Sequence, residues 1–297
     1  MRLSPVAAVI VLLVLPTAAL SHGGDGVYVI ARGFEAPSDA TLLPDGTLVV
    51  AEGGSVTTIN RAGARRAVRG FDAWGIEPAR DGSVLGIDSG NAVVRRWVPG
   101  TAPVIVAGGT NRFGFAGDGG PATRALLYPQ SILWSSGIQP LANGAFRFAD
   151  AGNDRIREVD SSGIIRTVKA GFDAPLTLDP LPDGSSVISQ FGKRDLLALR
   201  ADGRVENVVR AGGSIDGVAS LPDGTVLWSE SGRLGLSRLD AGARRPRDHL
   251  RRRRGGRWTS PPGASLRSGW ARTGAADCSS PTSVASGTSR TVPHLRI

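Results

Sequence analysis

The sequence predicts an all-β fold built from repeated small sheets. Three observations carry that expectation. A tight Asp-Gly or Asn-Gly turn returns five times, a short apolar strand follows each turn, and an acidic or amide residue closes most of these strands.

Taken along the chain, the turns are Pro44-Asp45-Gly46, Arg80-Asp81-Gly82, Ala142-Asn143-Gly144, Pro182-Asp183-Gly184 and Pro222-Asp223-Gly224. The strands behind them run from Thr47 to Ala51, Ser83 to Ile87, Phe146 to Ala149, Ser185 to Ser189 and Thr225 to Ser229. Asp45, Asp81, Asn143, Asp183 and Asp223 stand 36, 62, 40 and 40 residues apart. A period of about 40 residues is that of one four-stranded propeller blade. The 62-residue interval is then one blade plus an insertion from Asn111 to Tyr128. Glycine behind Asp or Asn supplies the positive φ that a tight hairpin needs. Strands such as Leu48-Val49-Val50 and Val226-Leu227-Trp228 are apolar on both faces, as expected of strands buried between neighbouring sheets.

The third copy is the most complete. After its turn come the strand Phe146 to Ala149, an acidic corner from Asp150 to Asp154 and a second strand from Arg155 to Val159. A further turn at Ser161-Ser162-Gly163 leads into an outer strand from Ile164 to Val168. This unit resembles an NHL-type β-propeller repeat. The Gly-Asp-Gly-Gly-Pro-Ala-Thr segment, Gly117 to Thr123, resembles the long loop of bacterial NHL proteins. The resemblance covers about Gly33 to Asp240 and implies a six-bladed propeller. It also implies an extracytoplasmic binding or scaffold module for a protein or glycan, with no cofactor. About five blades are in frame.

The two ends read differently from the body. Val6 to Leu15 form an apolar run behind Arg2, followed by Pro16, Thr17, Ala18 and Ala19. That is the layout of a secretory signal peptide over residues 1–21, with the propeller over 26–240. A membrane anchor would need about 20 apolar residues, so no membrane span is expected after cleavage and the product is secreted, periplasmic or on the cell surface. Export permits disulfides, yet Cys278 is the only cysteine, so no internal bridge can form. The net charge of +9 is concentrated: residues 241–297 carry twelve arginines against Asp248 and Asp277. The body is near neutral, and specific nucleic-acid binding is not expected, because basic charge alone gives salt-sensitive, non-specific affinity.

That tail lacks strand periodicity. One reading is a disordered low-complexity tail. The other is a frameshift. Lysine occurs only at Lys169 and Lys193 while arginine abounds, as GC-rich codons would give. Asp248 to Arg252, shifted by one base, permits Thr-Thr-Phe-Ala-Gly, an outer strand like the one ending at Gly171. Asp277 to Ser283, shifted by two, permits Leu-Leu-Val-Ala-Asp-Val-Gly, which matches Phe146 to Gly152. On this reading the last blade is lost. Val27 to Ile30 is the strand that would have completed it, and the edges of the first and fifth blades are exposed to association.

The body limits the chemistry. Between Gly23 and Asp240 there is no histidine and no cysteine, which excludes a Ser-His-Asp triad, a Cys-His pair and a His- or Cys-ligated zinc there. Carboxylate or amide ligation of a hard cation such as calcium remains, as does Asp/Glu acid–base work. Glu52, Asp88, Asp150 and Glu230, with Gln190 in the fourth copy, close successive strands. They read either as a carboxylate ring for a metal or substrate, or as structural acids capping the following turns; one per repeat is what a structural role predicts. Glu35-Ala36-Pro37 resembles the early Glu-Gly-Pro of gluconolactonase-like propellers, with Ala in place of Gly. That resemblance implies a metal-binding role for Glu35 and, as the alternative function, a metal-dependent lactonase or hydrolase. The companion asparagines are missing, because Asn60, Asn91, Asn143 and Asn153 fall at turns or corners.

The insertion is the candidate binding surface, through Phe115, Asp118, Gly119 and Gly120, since long loops on rigid scaffolds carry recognition. Its glycines could form a backbone anion nest. No Gly-Lys-Ser/Thr follows, so it is not a nucleotide-binding P-loop. The competing reading is a structural loop between blades, with Pro121 opening a short helix and Ala125, Leu126 and Leu127 packing down. Phe113, Tyr128 and Trp134 fit either core or rim.

Overall fold

The computed structural model describes residues 31, 33–34, 37–109, 112–129, 137–230, 235–239, 247–252 and 258–259. The expectations for the signal peptide, for Val27 to Ile30, Glu35 and Trp134, and for Cys278 and the rest of the tail beyond 259 fall outside these residues.

The described chain forms five antiparallel sheets, four of four strands and one of five. The first holds β1 (Pro37–Leu42), β2 (Leu48–Glu52), β3 (Ser55–Ile59) and β4 (Arg65–Ala67). The second holds β5 (Gly75–Pro78), β6 (Val84–Asp88), β7 (Val93–Trp97) and β8 (Val104–Gly108). The third holds β9 (Ile138–Pro140), β10 (Phe146–Asp150), β11 (Arg155–Val159) and β12 (Ile165–Ala170). The fourth holds β13 (Pro175–Pro180), β14 (Ser186–Gln190), β15 (Asp195–Leu199) and β16 (Val205–Arg210). The fifth holds β17 (Ile215–Ser220), β18 (Val226–Glu230), β19 (Gly235–Leu239), β20 (Arg247–Arg252) and β21 (Trp258–Thr259). Each sheet is a meander, strand after strand, and the first strands pack in succession: β1 on β5, β5 on β9, β9 on β13, β13 on β17. Among the described residues no comparable packing joins β17 back to β1.

The five turns share one geometry. The amide of Gly46, Gly82, Gly144, Gly184 and Gly224 donates to the carbonyl three residues earlier, and each of these glycines has φ between 81° and 86°. Asp45 Oδ1 accepts the Thr47 amide at 2.8 Å, and Asp81, Asn143, Asp183 and Asp223 repeat that bond to the residue two further on. The Asp or Asn thus keeps negative φ and ties the turn, while the glycine alone takes the left-handed position of a bulged hairpin.

Burial follows from the apolar strands. β6 is buried along its whole length, and the cores lie between consecutive sheets. Val49, Ala51 and Val56 meet Phe71, Ile76, Val84 and Trp97; Val187, Leu196 and Val209 meet Ile215, Val218 and Trp228. Ala149 and Ile156 likewise meet Leu178, Ile188 and Leu199. Each blade therefore holds its neighbours by side-chain packing and needs no disulfide.

Two expectations change. The described residues contain five sheets, and a sixth is not among them. Strand pairing also continues past Asp240: β20 pairs with β19, Leu236 opposite Leu250, and β21 pairs with β20. An edge strand offers unpaired N–H and C=O groups to any extended backbone, whatever its side chains, so an apolar pattern is not required there.

The first strand of each sheet escaped the sequence reading. Four of them begin or end in proline, at Pro37, Pro78, Pro140, Pro175 and Pro180, and these four bury the polar residues Asp39, Glu77, Gln139 and Asp179. Several of these polar groups fasten one blade to the next. Asp39 Oδ2 accepts the Ile76 amide at 2.8 Å, Asp179 Oδ2 accepts the Ser220 amide and hydroxyl, and Ser186 Oγ donates to Gln139 Oε1 at 2.6 Å. An inner edge has no fifth strand to satisfy its amides, so side chains of the neighbouring blade do so.

Candidate functional site

The insertion is bound to the third sheet as a strap. Gly119 donates to the Ile165 carbonyl, the Ile165 amide donates to Gly120, and the Ala122 amide donates to Gly163, at 2.8 to 3.0 Å. One turn of 3-10 helix, Ala122–Arg124, follows Pro121. Ala122, Ala125 and Leu127 sit in the core between the second and third sheets, against Leu85, Val94, Phe148 and Ile165. The sequence reading of Pro121 as a helix start and of Ala125 and Leu127 as packing residues holds in this geometry; Leu126 is half-buried.

At the centre of the strap lies Arg157, in the middle of β11 and fully buried. Its Nη1 donates to the Leu126 carbonyl at 2.9 Å, and its Nη2 donates to the Ala116 carbonyl at 3.1 Å and to Asp118 Oδ1 at 2.7 Å. Asp118 Oδ2 also accepts the Thr167 amide at 3.1 Å. Burial disfavours the Asp118 carboxylate, but the bonds from Thr167 and Arg157 outweigh it and hold its pKa below the usual range. Asp150 is fully buried, 3.6 Å from Arg157, and accepts the Tyr128 amide at 2.6 Å and Asn153 Nδ2 at 2.9 Å. Here burial wins and raises the pKa despite those donors.

The second sheet carries the same Asp, Asn, Arg trio at the same spacing. Asp88 accepts from Asn91 Nδ2 at 2.7 Å and from Arg95 Nη1 at 2.6 Å. In the third sheet the arginine has been drawn off its aspartate toward the strap. The other strand-closing residues act on the linker that enters their own sheet. Gln190 accepts the Asp173 amide at 2.6 Å, and Glu230 accepts the Gly213 amide at 2.7 Å. Glu52 stands at the matching end of β2. Asp88 caps the turn after it through the Asn91 amide at 3.0 Å, whereas Asp150, Gln190 and Glu230 hold the segment before. Among the described residues no three His, Cys, Asp or Glu side chains converge as a metal-binding group.

Of the four candidate binding residues, three have their polar groups engaged within the protein. The Gly119 amide is bonded to Ile165, the Gly120 amide to Gly117, and both Asp118 oxygens are occupied, so no anion nest stands open. Phe115 differs: it is 44% exposed, and the Arg155 guanidinium lies 3.6 Å from its ring centroid. Two further aromatic residues share this rim. Phe113 is 47% exposed, Tyr128 is 38% exposed, and their rings are 5.2 Å apart. Tyr128 rests on Gly152, where a Cβ would stand 2.6 Å from the ring. Asn153 Nδ2 donates to the Gly114 carbonyl at 2.8 Å and pins the segment between the two phenylalanines.

Sequence reasoning passed over Arg157. Its signals were a cation in a strand whose neighbours, Ile156 and Val159, are core residues, and the Asp-Asn-Arg spacing it shares with Asp88, Asn91 and Arg95.

Solved structures with the same fold have varied roles. A streptogramin B lyase matches with a TM-score of 0.56 at 13% identity, over 74% of this chain and 70% of that one. The nidogen/laminin complex gives 0.55 at 13% identity, over 72% and 79%. A gluconolactonase from Xanthomonas campestris gives 0.52 at 16% identity, over 73% and 77%. Five radial meanders with cores between them, and these likenesses, define the chain as a β-propeller. No protein-family model matches the sequence, and no curated protein does. At these identities the likeness speaks for the fold alone.

Proposed function

We propose that this chain is an NHL-type, exported propeller that acts as a binding module, and that the strapped insertion presents its binding surface. The observation that carries the reading is the rim of Phe113, Phe115 and Tyr128, each more than a third exposed on a segment fixed by hydrogen bonds and a buried arginine. Leaving apolar area in water forgoes about 25 cal/mol per Å² of burial. Clustered, rigid aromatic residues are what protein and glycan recognition uses. The test is binding of glycan and extracellular-protein panels to the wild-type chain and to Phe113→Ala/Tyr128→Ala. Binding lost in the variant with the thermal midpoint kept supports the reading; equal binding overturns it.

A second reading is metal-dependent lactone hydrolysis. The fold likeness to a gluconolactonase and the Glu35-Ala36-Pro37 resemblance favour it. The names of the similar structures speak for this reading more than for the first, while the placed side chains speak for the first: Asp39 and Asp179 are buried and already accept amide protons. Lactone hydrolysis with added calcium or zinc, abolished by chelation and by Glu35→Gln, would establish it. Rates equal to buffer would dismiss it.

The propeller is proposed to have had a sixth blade, lost to frameshift within residues 241–297, and a signal peptide over residues 1–21. Resequencing the gene tests the first, and N-terminal sequencing of exported protein tests the second.

A further inference from the structure

Arg155 is unlike the other arginines of the third sheet. Arg157 is bonded through both terminal nitrogens, and Arg147 and Arg166 are paired with Glu158. Arg155 is half-buried and fixed twice: its guanidinium is stacked on Phe115, and its Nε donates to the Asn153 carbonyl at 2.7 Å. Among the described residues its two terminal nitrogens, Nη1 and Nη2, have no hydrogen-bond acceptor. The fork that binds carboxylates in bidentate fashion is therefore held in position and, among the described residues, without an acceptor. The carboxylates around it already have other partners. Asp118 and Asp150 are shared with Arg157, and Asp154 accepts the Ala174 amide on the linker to β13. Arg112, next to Phe113, is exposed and adds positive charge.

We infer that the rim binds an acidic saccharide, with the Arg155 fork on a uronate carboxylate and sugar rings stacked on Phe113, Phe115 and Tyr128. This rests on the binding-module reading and narrows its ligand. The two halves of the surface match two halves of one ligand. Sugar rings offer C–H faces to aromatic rings, and the uronate adds a planar carboxylate for a planar fork. A guanidinium already stacked loses less freedom on binding than a free side chain would.

The experiment is calorimetric titration of the full chain with a short oligogalacturonate, its methyl ester and a neutral gluco-oligosaccharide of equal length. Wild type is compared with Arg155→Lys and with Phe113→Ala, each checked by thermal unfolding. Every variant keeps the arginine-rich tail, so non-specific attraction of the acid to that tail cancels between wild type and variants, and the variant comparison decides. The expected result is that methyl esterification and Arg155→Lys each weaken binding about tenfold or more, the loss of a charge-assisted bond pair. Phe113→Ala weakens acid and ester alike. Should neutral sugar or a protein bind through Phe113 with Arg155→Lys silent, the acidic inference falls while the binding module stands. Oligogalacturonate bound equally by all three proteins would place its binding elsewhere and overturn the inference. If neither the saccharides nor the protein panel binds through the aromatic rim, both readings fall.

Discussion

Replacing Arg157 by Met tests whether a buried cation holds the strap. Methionine keeps much of the volume and removes every donor. The Leu126 and Ala116 carbonyls and Asp118 lose their partner, and Asp150, fully buried, loses the nearest positive charge. Breaking a buried ion pair from one side costs about 3–5 kcal/mol, because a charge is left without compensation. The arginine's Nε already lacks a partner, which trims the loss and favours the lower half of that range. Against a total stability of about 5–15 kcal/mol this is a large fraction, and it corresponds to about 6–16 °C in thermal midpoint. Urea unfolding of wild type and Arg157→Met gives the stability change. Tryptic cleavage at Arg112 and Arg124, both within the strap, reports its release. Arg95→Met is the internal control: Arg95 carries the same contact to Asp88 but holds no insertion, so it should leave the strap protected. Adding Asp150→Asn to Arg157→Met should recover about half of the loss, since the two sites are coupled. A change under about 1 kcal/mol with unaltered cleavage would refute the reasoning, because it would leave the strap held by the apolar wedge alone.

Four further outcomes are expected. Glu158 is buried between Arg147 and Arg166; burial acts against its charge, but the two arginines outweigh it and lower its pKa from the ordinary 4.5. Its contribution to stability is thus complete above pH 4.5 and fades as pH falls toward the lowered value, so Glu158→Gln should flatten the acid limb of a stability–pH curve. Gly137→Ala should prevent folding or cost well over about 2 kcal/mol, because its Cβ would stand 2.2 Å from the Leu178 backbone nitrogen. Gly144→Ala, with φ of 86° and open space around it, should cost only about 1 kcal/mol, measured by the same urea titration. Asp179→Ala should loosen the fourth and fifth sheets by about 2–3 kcal/mol, seen as faster amide exchange at Ser220 and along β17 before the first three sheets respond.

The repeat, its turns and its second strands were legible because they obey local rules. A glycine at φ above 80° and an aspartate bonded two residues on are properties of four consecutive residues, and the starts of β2, β6, β10, β14 and β18 lie within one residue of expectation. The inner strands were not legible. Their buried polar residues, Asp39 and Asp179 among them, are satisfied by amides 37 and 41 residues away, which no local pattern announces. The rim was half legible: the insertion stood out by spacing, Phe115 was singled out and Arg155 read as a structural polar contact between blades, while Arg157 looked like an ordinary strand residue.

By itself the sequence determined an all-β repeat, the register of its hairpins, the place of the insertion and the absence of histidine and cysteine chemistry from the body. Only the tertiary structure decided what the insertion's groups do. The Gly119 amide and the Asp118 carboxylate, which look free in sequence, are taken up by β11 and β12, and the Gly120 amide turns back to Gly117; three aromatic rings remain at the surface beside an arginine fork that has no acceptor among the described residues. The reason is physical. A polar group's availability depends on which partners the fold brings within about 3 Å. For Arg157 those partners lie 31 to 41 residues away.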